Sequence, residues 1–408
     1  MIRVNAERLW STLEMMAQIG GTPAGGVTRL ALSEEDRIAR DLLRDWALEA
    51  GFTCDIDSMG NMFIRRAGKN PQLAPVMTGS HLDTQPLGGN SDGVYGVLAG
   101  LELLRTLNDN AIETERDVVL VNWTNEEGAR FAPAMLASGV WAGQLTEDFA
   151  YASMDNQRIT VREALEAIGY RGERPARAFP LHACYELHIE QGPILEEEEI
   201  DIGLVRAAMG QRWFTVTLDG FAAHAGTTPM HSRRDAVIAF AGLALNVEEI
   251  GYQFAPDGRA TIGMAQVTPN SRNVVPSRVE CSVEFRHPSQ DALEAMEAAL
   301  HVATKNLAAR GVTANVERIF DYAPVDFNEA CLARTENAVA ALGYSSKSMV
   351  SGAGHDTCYV SKVAPASMIF IPCVKGVSHN EAERILPEWS EKGANVLLHS
   401  VLSAALER

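Results

Sequence analysis

Histidine and carboxylate residues occur at close spacing in residues 76–93, in a pattern that suits metal binding. His81 is followed two residues later by Asp83 and eleven residues later by Asp92. Neutral imidazole and carboxylate are preferred ligands of first-row divalent metals, and a ligating histidine usually donates its other N–H to a nearby carboxylate. We therefore predict that His81 and Asp92 bind metal and that Asp83 orients His81. A surface loop that happens to contain these residues is the alternative for this segment taken alone.

Two adjacent carboxylates, Glu126 and Glu127, follow a second apolar run at 117–124. Neighbouring side chains point apart and like charges repel, so the two carboxylates cannot easily serve one role. One of them can bind metal while the other stays free as a base with a raised pKa. An acidic turn is the alternative interpretation.

Three later segments add candidates. His188 stands beside Glu190 and Gln191, immediately before a Gly-Pro turn, which suits a third ligand, although a lone histidine in a strand is usually a core residue. His379 follows a buried strand predicted at 366–372. A Gly-rich turn ending at Gly354 opens a short helix whose backbone N–H groups could bind an anion or a carbonyl, and a flexible loop is the alternative there.

The candidate ligands all lie at predicted strand ends or loops of one domain: His81, Asp92, Glu127, His188 and His379. Five N/O ligands with one carboxylate to spare match a two-metal site in which the ions lie about 3.5–4 Å apart, bridged by a carboxylate and a water. The absence of thiolate ligands favours zinc, manganese or cobalt.

The elements that must position these residues predict an α/β protein. Buried strands at 73–77, 117–124 and from Tyr185 each end in polar residues, and ligand sites in open α/β sheets lie at such strand ends. Helices are predicted at 3–18, 34–50, 93–107, about 233–249, 290–309 and 328–342, and from Pro387.

A change of texture near residue 211 predicts a second domain. Residues 213–220 alternate strictly between apolar and polar, as a half-exposed antiparallel strand does. Two β-α-β units follow, with a strand near 261–267 and others at 279–286 and 312–319. We predict a mixed-sheet α/β/α catalytic domain at 1–210 and 328–408, interrupted by a small α+β, ferredoxin-like domain at 211–327.

Composition excludes several classes of function. The formal charge of −18 over 408 residues argues against nucleic acid or an anionic membrane as partner. The apolar content of 46% describes a soluble globular protein, and no stretch approaches the length of a membrane span. Six scattered cysteines without a Cys-x-x-Cys pair, and an amino terminus without an apolar signal-peptide core, predict reduced thiols in a cytoplasmic protein.

Four motifs carry a family resemblance that spans nearly the whole chain. They are Gly-Ser-His-Leu-Asp-Thr (79–84), Thr-Asn-Glu-Glu-Gly-Ala-Arg-Phe (124–131), Glu-Leu-His-Ile-Glu-Gln-Gly-Pro (186–193) and His-Ala-Gly-Thr-Thr-Pro-Met (224–230). The chain resembles the M20 family of dinuclear metallohydrolases, in its hydantoinase/carbamoylase branch. One departure is Asn90-Ser91 before Asp92, where many relatives are expected to carry an aromatic residue.

The resemblance implies a role for each candidate residue. Asp92 would bridge two divalent ions, His81 and His188 would complete one site, and Glu127 and His379 the other. Glu126 would be the general base. His224 would stabilise the oxyanion in the partner subunit's site, which implies a homodimer whose inserted domain serves as lid and dimerisation domain. The remaining residues would bind substrate: Asn273 and Arg286 as a clamp for the carboxylate, Gln191 at the ureido end and Gly354 at the carboxylate.

The residues also bear on these substrate contacts. An arginine can hold a carboxylate bidentately, which suits Arg286, and an exposed strand charge is its alternative. His231, His287, His301 and His399 are interpreted as bystanders, and His182 and His355 stay open.

The implied reaction is hydrolysis of a small ureido acid, namely an N-carbamoyl-L-amino acid cleaved to the amino acid, carbon dioxide and ammonia. Allantoate and N-carbamoyl-β-alanine are the alternative substrates. A peptidase or aminoacylase fits less well, because those branches tend to carry a carboxylate at the position of His188. A catalytically silent binding relative would be favoured by an incomplete ligand set, whereas all five ligands and the base are present here.

Overall fold

The chain folds into two units that differ in the kind of sheet they contain. The computed structural model describes residues 1–408. Unit 1 comprises residues 1–206 and 327–408, and unit 2 comprises residues 207–326. The inserted unit therefore begins four residues before, and ends one residue before, the limits expected from the sequence. No helix combines the length and the apolar character needed to cross a membrane.

Unit 1 is built on a large mixed sheet. Its strands are β1 (Thr53–Ile56), β2 (Met62–Arg66), β3 (Val76–His81), β4 (Val118–Trp123), β5 (Ala183–Ile189), β6 (Ile202–Ala208), which runs into unit 2, and, late in the chain, β15 (Ser346–Ser351) and β16 (Ala366–Ile371). They lie in the order β1-β2-β4-β3-β5-β16-β6, with β15 also beside β6. β3 pairs in parallel with β4 and β5, and β5 with β16. Every residue of these four strands is buried, which is why their sequences read as nearly continuous apolar runs.

Helices complete unit 1. They are α1 (Ala6–Ala17), α2 (Glu34–Glu49), α3 (Val94–Asp109), α4 (Leu136–Trp141), α5 (Glu147–Ala152), α6 (Val161–Ala167) and α7 (Ile194–Glu197), followed after unit 2 by α10 (Glu329–Leu342), α11 (Asp356–Val360) and α12 (Pro387–Ala405). α3 and α12 share the largest core with β3 and β5, and both are buried around most of their circumference. All six cysteines are free thiols, five of them buried.

Unit 2 has a separate, antiparallel sheet. The helices and strands of unit 2 are β7 (Gly210–Asp219), β8 (Ala223–His224), α8 (Ala236–Gln253), β9 (Arg259–Thr261), β10 (Ala265–Thr268), β11 (Val274–Val275), β12 (Arg278–His287), α9 (Gln290–Asn306), β13 (Thr313–Tyr322) and β14 (Val325–Asp326). Of these, β8 and β11 form a two-stranded sheet of their own, and β14 pairs with Ala207 and Ala208 at the end of β6. The sheet order is β10-β12-β7-β13, with β9 also beside β12. Both long helices contribute to one core with β7 and β12.

Several predicted boundaries were wrong for identifiable reasons. The strand expected at 73–77 begins at Val76, because Pro75 has no N–H to donate and pairing with β4 starts one residue later. The strand expected at 261–267 is divided into β9 and β10 at Gly263, where Ser282 Oγ accepts the N–H groups of Gly263 and Met264. β6 and β15 were missed.

Candidate dinuclear metal and catalytic site

The candidate site lies at the carboxyl ends of neighbouring strands in unit 1. His81 is the last residue of β3, and His188 is the last but one of β5. Glu126 and Glu127 lie three and four residues after the end of β4. Because β3, β4 and β5 run parallel, their ends meet at one edge of the sheet. Asp92, just before α3, completes this part of the site.

His81, His188 and Asp92 form a buried group that we call the inner cluster. Asp92 Oδ1 lies 3.0 Å from His188 Nε2 and 3.7 Å from His81 Nε2. In both rings Nδ1 forms a hydrogen bond with a backbone carbonyl oxygen. The partner of His81 is the carbonyl of Asp83, at 2.8 Å, and the partner of His188 is that of Ile189, at 2.9 Å. These bonds orient both Nε2 atoms toward Asp92, as metal-ligating histidines require.

Asp92, Glu127 and His379 form a more open group, the outer cluster. His379 Nε2 lies 3.3 Å from Asp92 Oδ2 and 3.4 Å from Glu127 Oε2. The side chain of His379 is 50% exposed, whereas that of Asp92 is 5% exposed. The ligand atoms of each cluster lie within 4.8 Å of one another. Asp92 thus presents one carboxylate oxygen to each cluster.

Glu126 belongs to neither cluster, although its Oε2 lies 3.5 Å from His81 Nε2. Glu126 meets His81, whereas the adjacent Glu127 meets His379, with its Oε2 3.4 Å from His379 Nε2. Burial raises the pKa of Glu126 well above its usual range, and the negative charges of Asp356 and Glu127 raise it further. A carboxyl group of this kind can accept a proton near neutral pH.

Asp83 acts on the site differently from the prediction. The ring N–H of His81 meets the backbone carbonyl of Asp83, while the Asp83 carboxylate lies 3.9 Å from that ring nitrogen. The carboxylate instead accepts the backbone N–H groups of Glu126 and Glu127, at 3.3 and 3.2 Å. Asp83 thus contacts the His81 ring as expected, but through its backbone carbonyl and not through its carboxylate, because that carbonyl already occupies the ring nitrogen.

The charges of the site fit divalent cations. The ion-pair partners of Asp92, Glu126 and Glu127 are all histidines. Burial raises the pKa of Glu127 well above its usual range, and the charge of Asp92 adds to this. Burial would also raise the pKa of Asp92, but hydrogen bonds with His188 and His379 outweigh it and hold that pKa well below its usual range. Clustered buried carboxylates beside imidazole nitrogens form a donor set for zinc, manganese or cobalt.

Three residues in or beside these clusters have left-handed backbone conformations. Asn125, Gln191 and His379 have positive φ angles of 58°, 59° and 52°. Non-glycine residues adopt this conformation at an energetic cost, and such residues are frequent at functional sites. In Asn125 the side chain stabilises the turn by donating to the carbonyl of Phe131 at 2.8 Å.

The two predicted substrate contacts in unit 1 have different surroundings. Gln191 Nε2 donates to Asp92 Oδ2 at 2.9 Å and to Ser378 Oγ at 3.1 Å, and Gln191 Oε1 has no hydrogen-bond partner. Gln191 thus lies directly against the carboxylate shared by both clusters. Gly354 is partly buried in the turn before α11, which has only five residues.

In unit 2, the structure brings His224 and Asn273 together and separates Arg286 from them. His224 pairs with Val274, and the carbonyl of Asn273 accepts the N–H of Ala225 at 3.0 Å. Both residues are exposed and lie beyond the end of the sheet where Arg278 begins β12. Arg286 lies eight residues further along β12, which places it about 26 Å from Arg278 at a rise of about 3.3 Å per residue. Its Nε donates to Glu284 at 2.6 Å.

Sequence reasoning missed Glu186 and Glu383 and left His355 open, and all three are buried around the clusters. Glu186 accepts the Ser80 hydroxyl at 2.7 Å and the Thr357 N–H at 3.0 Å, and the His355 ring packs on that of His188 at 4.5 Å between centroids. Glu383 accepts backbone N–H groups of the Asp92 loop. These residues lie far apart in the chain, and no local spacing pattern connects them. Glu186 was inside a quoted motif, two residues before His188 on the same strand face, which was an available signal.

Comparison with known proteins agrees with this geometry. Residues 77–403 match peptidase family M20/M25/M40. An N-carbamoyl-L-amino-acid amidohydrolase of Rhizobium meliloti is 46% identical over 404 residues, covering 99% of this chain and 97% of that protein. A crystal structure of an amidase of the hydantoinase/carbamoylase family from Burkholderia multivorans has a TM-score of 0.95 and 54% identity, covering 100% of this chain and 99% of that one.

A more distant relative carries a different name. The ureidoglycolate hydrolase of Oryza sativa subsp. japonica is 32% identical over 416 residues, covering 99% of this chain and 86% of that protein. Both relatives and the solved structure match over nearly the whole of this chain. The chain therefore belongs to peptidase family M20/M25/M40, in its hydantoinase/carbamoylase branch.

Proposed function

We propose that the chain is a metal-dependent amidohydrolase that cleaves N-carbamoyl-L-amino acids. The observation that carries this proposal is the position of Glu126, a buried carboxylate 3.5 Å from His81 that belongs to neither ligand cluster. A carboxylate that lies beside a metal centre without binding the metal can act as the general base in hydrolysis by water. The amidohydrolase relative of Rhizobium meliloti supports the substrate class.

Two cations are proposed, one in each cluster. His81, His188 and Asp92 Oδ1 would hold the first, and Asp92 Oδ2, Glu127 and His379 the second. When bound, divalent cations polarise a carbonyl oxygen and lower the pKa of water. A carboxylate whose two oxygens face two different ligand sets supports the sharing of Asp92 between the sites.

Glu126 would move the proton that hydrolysis requires. It takes a proton from water as the water oxygen bonds to the carbamoyl carbon, and it gives that proton to the terminal nitrogen as the C–N bond breaks. Ammonia leaves, and the carbamate that remains decomposes to carbon dioxide and the L-amino acid. Gln191, against Asp92, would contact the ureido group, and Gly354 the substrate carboxylate.

The substrate clamp is proposed to need two copies of the chain. Asn273 and His224 lie beyond one end of the unit 2 sheet, whereas Arg286 lies toward the other end of β12. Residues so far apart in one copy cannot hold a single small carboxylate. We therefore assign Arg286 to one copy and His224 with Asn273 to the other, in a homodimer whose inserted units contribute to both sites.

A substrate panel tests the proposed function. Ammonia release would be measured with Mn²⁺-loaded protein on N-carbamoyl-L-amino acids, their D enantiomers, N-carbamoyl-β-alanine, allantoate and a dipeptide. We expect the highest kcat/KM for N-carbamoyl-L-amino acids and no turnover in chelator-treated protein. Preference for allantoate or N-carbamoyl-β-alanine would reassign the substrate within the ureido acids. Turnover of the dipeptide alone would contradict the proposal.

A further inference from the structure

The two clusters differ in how their ligands are held in place. His81 and His188 lie on strands whose sheet neighbours fix them, Trp123 opposite His81 and Phe370 opposite His188. Asp92 and His379 lie on loops, the first between β3 and α3 and the second between β16 and α12. The outer cluster therefore depends on whatever fixes these two loops to each other.

Glu383 is the side chain that joins the two loops. Its Oε1 accepts the backbone N–H groups of Ser91 and Asp92, at 3.2 and 3.0 Å. Its Oε2 accepts the hydroxyl of Ser378, the residue before His379, at 3.0 Å. Glu383 is only 2% exposed, so these hydrogen bonds form away from bulk water.

Ser378 connects Glu383 to the shared ligand itself. Its Oγ lies 3.3 Å from Asp92 Oδ2, the carboxylate oxygen that faces the outer cluster. The hydroxyl has one proton, which can be given to Glu383 or to Asp92 but not fully to both. Glu383 thus contacts the backbone of Asp92 directly and the side chain of Asp92 through Ser378.

The Asp92 loop passes close over the Glu383 carboxylate. A Cβ at Gly89 would lie 2.0 Å from Glu383 Oε1, so the loop can take this path only with glycine at that position. The close approach leaves no room for a water molecule between the loop and the carboxylate at that point. The Asp92 loop and the Glu383 carboxylate therefore pack directly against each other.

We propose that Glu383 is a positioning residue of the metal centre, which holds the Asp92 loop and the His379 loop at the spacing that the outer cluster needs. The proposal rests on the proposed function, since it takes the clusters to be cation sites. It predicts that loss of Glu383 weakens the outer site more than the inner one, because two of the three inner ligands, His81 and His188, are fixed by the sheet, whereas two of the three outer ligands lie on the loops that Glu383 joins.

Cation binding to chelator-treated full-length protein tests this. Mn²⁺ would be titrated calorimetrically into the wild type and into Glu383→Ala, Glu383→Gln, Ser378→Ala and Glu381→Ala. In Glu383→Ala we expect the tighter equivalent to bind within about twofold of wild type and the other to weaken at least about tenfold, within the range known for residues that orient metal ligands. Ser378→Ala should weaken the same equivalent about three- to tenfold.

Two variants serve as matched controls. In Glu383→Gln, the amide oxygen can accept the two backbone N–H groups while the amide N–H donates to Ser378 Oγ, so binding should recover to within about threefold of wild type. Glu381 lies in the same loop and accepts the Thr22 hydroxyl instead. Glu381→Ala should bind both equivalents as the wild type does.

The outcomes separate this inference from the proposed function. Folded Glu383→Ala that binds both equivalents normally, or loses both equally, would overturn it, as would Glu383→Gln behaving like Glu383→Ala. If Glu383→Ala does not fold, Ser378→Ala decides, and unchanged binding of the second equivalent in that variant overturns the inference. Wild-type protein that binds two cations but hydrolyses no ureido acid would instead refute the proposed function and leave the role of Glu383 standing.

Discussion

The side-chain carboxylate of Asp83 accepts the backbone N–H of Glu126, at 3.3 Å. Its other oxygen accepts the N–H of Glu127, at 3.2 Å. One buried carboxylate thus fixes the turn that carries both Glu126, the proposed base, and Glu127, a proposed ligand of the outer cluster. The adjoining imidazole of His81 is held by the Asp83 backbone instead.

Replacement Asp83→Asn should impair this turn and leave the inner cluster intact. The two N–H groups meet different carboxylate oxygens, so an amide oxygen would keep one of these bonds while the amide N–H₂ would face the other donor. We expect kcat to fall about 10- to 100-fold, while one Mn²⁺ equivalent still binds with wild-type affinity. Loss of both cation equivalents would show that the side chain supports His81 after all.

Replacement Glu126→Gln should separate proton transfer from cation binding. Because Glu126 belongs to neither cluster, both Mn²⁺ equivalents should remain bound, as measured by metal analysis. Turnover of an N-carbamoyl-L-amino acid should fall about 10²- to 10⁴-fold, the usual contribution of a general acid–base group. Glu127→Gln, one residue away, is the control and should lose the outer cation. Turnover near wild type in Glu126→Gln would exclude it as the base.

Replacement Gly93→Ala should displace His81. Gly93 has a φ of +66°, and a Cβ there would lie 2.3 Å from His81 Nε2 and Cε1, so the ring must move. We expect the inner-cluster affinity for Mn²⁺ to fall at least about tenfold. Gly169→Ala is the matched control, because Gly169 has a φ of +73° with no atom within 4 Å of the added Cβ. It should cost only the left-handed backbone strain, about 1–2 kcal/mol, without affecting cation binding.

Chelator-treated protein should lose stability as the pH rises from 6.5 to 9. Burial raises the pKa values of Glu126 and Glu127 well above their usual range. It raises those of Asp83 and Glu383 to about 7 each, so the share of the loss that these two groups contribute is largely complete near that pH. Burial lowers the pKa of His188, but the hydrogen bond with Asp92 outweighs it and raises that pKa to about 9. A group with a raised folded-state pKa contributes stability that is lost as the pH rises through that pKa.

A histidine whose pKa is lowered in the folded protein adds stability as the pH rises, but only at pH values below its ordinary pKa. Burial lowers the pKa of His81 to about 4, so its contribution is complete above its ordinary value of 6.5. The Tm of the chelated protein should therefore fall across pH 6.5–9, and Mn²⁺ should reduce that decline by replacing the protons. A Tm that rises or stays level in the chelated protein would contradict these pKa shifts.

The parts of the site that the sequence predicted are those with local signals. His81, Asp83 and Asp92 lie within twelve residues of one another, and the apolar run before them identified a strand whose end they occupy. The alternating pattern of β7 and the helical pattern of α9 likewise identified the second unit. Periodicity and spacing are readable wherever one element carries them.

The parts that were missed depend on contacts between distant segments. Glu383 reaches the Asp92 loop from 291 residues away, and Glu186 meets Ser80 across 106 residues. The change in the role of Asp83 likewise follows from where Glu126 and Glu127 fold, 43 and 44 residues later. Residue types alone do not specify which oxygen meets which N–H, since tertiary packing decides it.

Anomalous X-ray scattering from crystals of Mn²⁺-loaded protein would test the shared role of Asp92 most directly. Two peaks about 3.5–4 Å apart are expected, one beside His81, His188 and Asp92 Oδ1, and the other beside Asp92 Oδ2, Glu127 and His379. A single peak, or two peaks that do not share Asp92, would contradict the shared role of Asp92.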